Sequence, residues 1–206
     1  MRKARFAKWW VGIATCCLGP LTLSCTADVD RESVFLDYFD AVNRNAVSEA
    51  LAFHTPDAEF VIPGQPPIRG TEALRSLLQW DSVLNSSVRF GPVEQQLGDT
   101  LFAGPGSERN AWFQGIGLDS IVYASGSRFV FEGALIKGIY PSSLTPKSTA
   151  EFEARVEAFM GWAAAYSPDD MASLLPNGVF RYDREAAEAW LDLLAVYASN
   201  DESRLP

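Results

Sequence analysis

The order of patterns along the chain most constrains its fold: helical spacing up to Trp80, short turn-separated segments from Val88, then helical spacing again to the C-terminus. Asp30 can cap a helix in which Phe35, Phe39 and Val42 recur at helical intervals, ending near Asn43-Arg44-Asn45. A second short helix is expected from about Ala46 to Phe53, with Val47, Leu51 and His54 on one side and Thr55-Pro56 as its stop. Glu59 to Ile62 reads as a strand closed by the Pro63-Gly64-Gln65-Pro66-Pro67 loop. Thr71 then caps a third helix with Leu74, Leu77 and Leu78 on its apolar side and Trp80 just beyond it. The segments Val88 to Gln96, Thr100 to Ala103, Ile121 to Tyr123, Arg128 to Phe131 and Ala134 to Tyr140 carry the pattern of an antiparallel sheet, with Glu132-Gly133 as a hairpin turn. The run Asn110 to Gly117 reads as a strand edge or, preferably, as one helical turn capped by Asn110.

The last third is helical. Phe152, Val156, Phe159 and Ala163 step by four, three and four, and Ser167-Pro168-Asp169-Asp170 opens another helix. Asp183 caps a final one, whose stripe of Ala187, Trp190, Leu191, Leu194 and Tyr197 predicts core packing or docking on a second copy of the chain. The fold class is therefore α+β.

The first 25 residues differ in kind. Arg2, Lys3, Arg5 and Lys8 precede any acid, and an apolar run from Trp9 to Leu23 follows, broken by Gly19-Pro20. This is the layout of a secretory signal peptide, too short for the roughly 20 residues of a membrane span. The run ends Leu21-Thr22-Leu23-Ser24-Cys25, which resembles the lipobox of bacterial lipoproteins and implies diacylation of Cys25. Ordinary cleavage near Ser24 or Ala27, giving a secreted protein, is the alternative. Loss of the first 24 residues, with their four bases, would leave 182 residues and a net charge of −13 in place of −9. With at most one cysteine remaining, no internal disulfide is expected.

The acidic balance argues against nucleic acid as a partner and against an electrostatic grip on an anionic membrane, so any membrane contact is expected through the lipid alone. His54 is the single histidine and the three cysteines lie near the N-terminus, so no metal site of the usual multi-ligand kind, and no cofactor, is expected.

The run Phe53-His54-Thr55-Pro56-Asp57-Ala58-Glu59-Phe60, a Pro-Gly loop, Ile68-Arg69-Gly70 and a helix opening Thr71-Glu72-Ala73-Leu74 resembles the nuclear transport factor 2-like superfamily, in its SnoaL-like branch. The resemblance covers Val34 to Leu78 well and reaches Tyr140 more loosely, and the tail from Pro146 lies outside it. It implies a cone: helices packed into the concave face of a curved antiparallel sheet, with a pocket at the open end. The division expected is residues 1–24 as signal peptide, 25–33 as tether, 34–145 as the cone and 146–206 as a helical extension. The group includes isomerases, epoxide hydrolases, polyketide cyclases, dehydratases and members without activity, so chemistry must be sought in the pocket.

Candidate acids and bases are Glu108, Asp57 and His54, and candidate ligand contacts are Tyr38, Trp80, Asn110 and Trp112. Asp57 is either a carboxylate at the pocket rim or a turn residue, and His54 a base or a satisfied core residue. Tyr38 could offer its hydroxyl to a ligand or simply pack. A Glu108 carboxylate held beside Trp112 away from water would have a raised pKa and serve as acid or base; otherwise it forms a surface ion pair. Two readings follow: an envelope module that binds a small apolar molecule or dimerises, or an acid–base enzyme of isomerase, hydrolase or dehydratase type. For the anchor, the serine variant C25S is expected to lose palmitate labelling entirely, and labelling that persists in that variant refutes the assignment of Cys25.

Overall fold

A computed structural model describes residues 29–202, so the leader and Cys25 lie outside the described residues. The architecture is α+β, with a curved, mostly antiparallel sheet, N-terminal helices against its concave face and a C-terminal helical extension. Helices α1 (Arg31–Asn43) and α2 (Val47–Ala52) lead into β1 (His54–Phe60) and β2 (Ile68–Arg69), and α3 (Thr71–Val83) follows. Then come β3 (Ser87–Phe90), β4 (Val93–Leu97), β5 (Thr100–Ala103), β6 (Gly106–Arg109), the short α4 (Ala111–Gly115), β7 (Ile121–Tyr123), β8 (Ser127–Glu132) and β9 (Leu135–Tyr140). The extension is α5 (Pro146–Tyr166), α6 (Pro168–Leu174) and α7 (Arg184–Glu202). Among the described residues no helix is long and apolar enough to cross a membrane.

The strands form a six-stranded sheet in the order β2-β1-β9-β8-β5-β4 and a three-stranded sheet in the order β3-β6-β7. Two Gly-Pro pairs join them. Gly91-Pro92 separates β3 from β4 and Gly104-Pro105 separates β5 from β6, and the pairs face each other: Gly91 N–H donates to Pro105 O at 2.8 Å and Gly104 N–H to Pro92 O at 3.0 Å. Proline has no N–H for the ladder, so regular pairing stops there, while the glycines allow the two backbones to close in. A Cβ on Gly104 would stand 3.2 Å from Pro92 O. This corner turns the sheet, and the expected single segment Val88 to Gln96 is therefore two strands in two sheets, with β6 an additional strand.

Local signals decide most helix ends. The Asp30 carboxylate accepts from Ser33 N–H at 3.1 Å, Asn110 from Phe113 N–H at 2.9 Å and Asp183 from Ala186 N–H at 2.8 Å. Three expectations are corrected. Gly70, at φ 81°, caps α3 in place of Thr71, whose hydroxyl donates instead to Pro56 O; and Trp80 lies inside α3. His54 begins a strand rather than ending a helix, because Ile136 N–H donates to Phe53 O at 2.7 Å and draws the chain into parallel pairing with β9. A register shift between His54 and Glu59 accommodates Pro56, which cannot donate to a ladder.

Two apolar clusters fill the interior. One joins α1 and α2 to the six-stranded sheet, with the Phe35 and Phe129 rings edge to face at 4.8 Å. The other joins α3, α4 and β7 to the extension: Trp190 and Phe159 are fully buried, and Trp190 meets Trp112 at 6.3 Å. The final apolar stripe thus packs inward, and a Cβ on Gly115 would meet the Leu194 side chain at 2.9 Å. Trp190→Ala is expected to cost about 3–5 kcal/mol within one cooperative urea transition; a separate early transition for the extension would contradict this shared core.

Candidate functional site

The apolar stripe of α3 runs through Leu74, Leu77 and Leu78, and its next inward position is Asp81. The carboxylate is therefore directed into the core by helical geometry. It accepts from the Ser86 hydroxyl at 3.1 Å. Glu108 arrives from the other side: on β6 its neighbours Ser107 and Arg109 face outward, so strand alternation turns Glu108 inward. One Glu108 oxygen accepts from the Tyr123 hydroxyl at 2.7 Å, and the other from the Asn110 amide at 3.1 Å. Asn110 is itself fixed as the cap of α4.

Both acids are harder to ionise than in water. Burial, and then the charge of Glu108, raise the Asp81 pKa to about 7 against a smaller opposing effect of the Ser86 hydroxyl. Glu108 is also raised, by burial, with the Tyr123 and Asn110 hydrogen bonds acting the other way. Three tyrosines surround the pair. Burial and then the Glu108 charge hold Tyr123 well above its usual range, and burial followed by the Asp81 charge does the same for Tyr38 and Tyr182. The Tyr38 and Tyr182 hydroxyls make no hydrogen bond among the described residues. A cavity of about 10 Å³ beside Asp81, walled by Val42, Val47, Ala50 and Leu78, has room for roughly one water molecule.

The sequence-derived candidates separate into groups. Glu108 and Asn110 are joined directly, and Tyr38 senses the charge of Asp81. Asp57 is exposed on β1, away from these acids. His54 is buried with its ring 5.1 Å from that of Tyr38, and burial lowers its pKa to about 4, so it is neutral at physiological pH. Trp80 is buried with Tyr182 edge-on at 5.4 Å. Trp112 belongs to the aromatic cluster of the extension, against Phe180, Phe159 and Trp190. Asp81, Tyr123 and Tyr182 were not expected from sequence; the one available signal was a carboxylate at a stripe position of α3. Among the described residues no group of three His, Cys, Asp or Glu side chains could hold a metal ion.

The stretch between α6 and α7 packs over residues of α3 and α4. Phe180 N–H donates to the Gln65 side chain at 3.0 Å, tying this stretch to the Pro-Gly loop, and Phe180 and Tyr182 reach Trp112 and Trp80. A raised carboxyl pKa means that folding favours protonated Asp81, so its contribution to stability is whole below pH 3.8 and is lost as pH rises through about 7. Ionising it in the fold costs on the order of 4 kcal/mol at 1.36 kcal/mol per pKa step. Asp81→Asn should therefore raise the Tm at pH 8.5 by several degrees and by about half as much at pH 5.5, as scanning calorimetry can measure; an equal gain at both values would contradict the burial of an ionisable Asp81.

No family model matches the sequence, and no curated protein does. Solved structures overlap with part of it. The epoxide hydrolase/cyclase-like enzyme SalBIII of pyran ring formation in polyether salinomycin is 16% identical with a TM-score of 0.47, over 57% of this chain and 92% of that one. An NTF2-like protein of unknown function from Cytophaga hutchinsonii is 11% identical with a TM-score of 0.46, over 61% of this chain and 98% of the other. A polyketide cyclase candidate from Pseudomonas putida is 14% identical with a TM-score of 0.47, over 59% and 96%.

Proposed function

We propose that the protein is an exported, lipid-anchored SnoaL-like protein whose interior is an acid–base site for a small, uncharged, largely apolar molecule. The leader and Cys25 support export and anchoring. The chemical part rests on one observation: the Asp81 carboxyl is held away from water within reach of the Glu108 charge, with Ser86 bonded to the first acid and Tyr123 and Asn110 to the second, and no arginine or lysine beside either to favour the charged form. Burying two acids without a cation is unfavourable for stability, and such groups cluster where proton transfer needs them.

The roles follow from the environments. Asp81, with a pKa of about 7, is divided between acid and carboxylate at neutral pH, the condition for taking and returning a proton. Glu108 supplies the negative charge that keeps it there. Tyr38 and Tyr182 stay protonated and can donate to an oxygen on which charge develops. The surrounding charge disfavours an anionic substrate, and an enolisable ketone fits: Asp81 removes the proton next to the carbonyl, a tyrosine holds the enolate oxygen, and the proton returns. The cavity beside Asp81 holds about one water, so a substrate enters only when the packing around that acid opens.

A second reading is that the extension closes the cone for good and the interior serves binding or structure alone. The packing of Trp190, Phe180 and Phe159 around Trp112 favours it. Solvent-deuterium incorporation into a panel of enolisable ketones, followed by NMR, separates the two. On the acid–base reading the exchange rate rises through about pH 7, falls at least ~100-fold in Asp81→Asn, and in Glu108→Gln has its rising limb at lower pH, because removing that charge lowers the Asp81 pKa. Ketone binding without any exchange would sink the acid–base reading and support the second.

A further inference from the structure

On the outer side of the three-stranded sheet lies a recess of about 420 Å³, lined by residues of β3, β6 and the ends of α1, α3 and α4. The β3–β6 register pairs Ser87 with Arg109 and Arg89 with Ser107. Directly opposed residues share a face, and so do residues two apart, so all four side chains stand on the recess side while Glu108 points the opposite way. Arg89 and Arg109 are thus diagonal neighbours, roughly 7–8 Å apart at the backbone. Both are exposed, and neither guanidinium group has an ion pair or hydrogen bond among the described residues. Two like charges held together with no acid between them, in a chain of net charge −9, are an unfavourable arrangement that a bound anion would relieve.

The rest of the lining says what the anion should carry. The Ser87, Ser107 and Gln114 side chains make no hydrogen bonds among the described residues, so they are unspent donors and acceptors facing the same space. Only Leu84 and Ala111 in the lining are apolar. The volume is in the range of small-molecule sites and exceeds what a bare oxyanion needs. We infer that this recess binds a phosphorylated sugar, the two guanidinium groups holding the phosphate and the serine and glutamine side chains the sugar hydroxyls. The same chemistry is presented by a free sugar phosphate and by an inositol-type lipid headgroup.

The test is calorimetric titration of the purified protein with glucose 6-phosphate, glucose and inorganic phosphate. In parallel, it is co-sedimented with phosphatidylinositol-containing and with pure phosphatidylcholine vesicles. Glucose 6-phosphate is expected to bind at least about tenfold more tightly than either phosphate or glucose, a difference of about 1.4 kcal/mol. The double variant R89A/R109A is expected to lose at least about tenfold in affinity at unchanged Tm, both side chains being exposed. Sedimentation with the inositol lipid alone, lost in the double variant, supports the same recess and names the headgroup as source. Phosphate binding as tightly as the sugar phosphate overturns the sugar assignment. Affinity unaltered in the double variant, or no binding of any probe up to about 10 mM, overturns the site.

Discussion

The pair of hydrogen bonds between Gly91-Pro92 and Gly104-Pro105 is the constraint on which the rest of the interior depends. Without that corner, β3 and β6 would continue β4 and β5 as one long hairpin, and the inward face of β6 would lie against the six-stranded sheet's own cluster. The bend carries β6 and β7 around, so that Glu108 and Tyr123 come under α3, where Asp81 projects. Proline interrupts the ladder at the same place on both strands, and a Cβ at Gly104 would crowd the facing Pro92 carbonyl at 3.2 Å. A sheet feature thus brings together two acids that are 27 residues apart in sequence.

The acids give the fold an unusual dependence on pH. Asp81 stabilises the protonated fold, a contribution present below pH 3.8 and lost as pH rises through about 7. His54 acts in the opposite sense. Its pKa is lowered by burial from 6.5 to about 4, so its contribution is present above 6.5 and lost as pH falls through about 4. Over the interval from about 4 to 6.5 each site exchanges one proton with opposite effect, so the two contributions largely cancel. Above that interval Asp81, of these two, still titrates, and the fold weakens slightly toward neutrality.

What could be read from the sequence was local. The caps by Asp30, Asn110 and Asp183 and the Glu132-Gly133 hairpin, closed by pairing of Glu132 with Leu135, involve neighbours in the chain and are written in three or four residues. The features missed are set by distant partners. His54 enters a strand because β9, some 80 residues later, offers a parallel edge. Tyr182 reaches the acids from the extension, about 100 residues after Asp81, with no local mark of it. Asp81 is the exception, since a carboxylate continuing the stripe of Leu74, Leu77 and Leu78 was visible in the helical period, and an apolar position held by an acid is where function is to be sought.

The covering stretch bears on whether this interior is used. A permanent plug has no reason to leave its polar atoms unpaired, because each buried donor without a partner costs about 1–3 kcal/mol. Here the indole N–H groups of both Trp112 and Trp190 are buried without partners among the described residues. The aromatic rings supply contact area, while the polar atoms at the same seam give nothing back. That imbalance lowers the free energy needed to lift Phe180 and Tyr182 away from Trp112 and Trp80, while the Gln65–Phe180 hydrogen bond opposes it. The closure is thus held by apolar contact more than by hydrogen bonds.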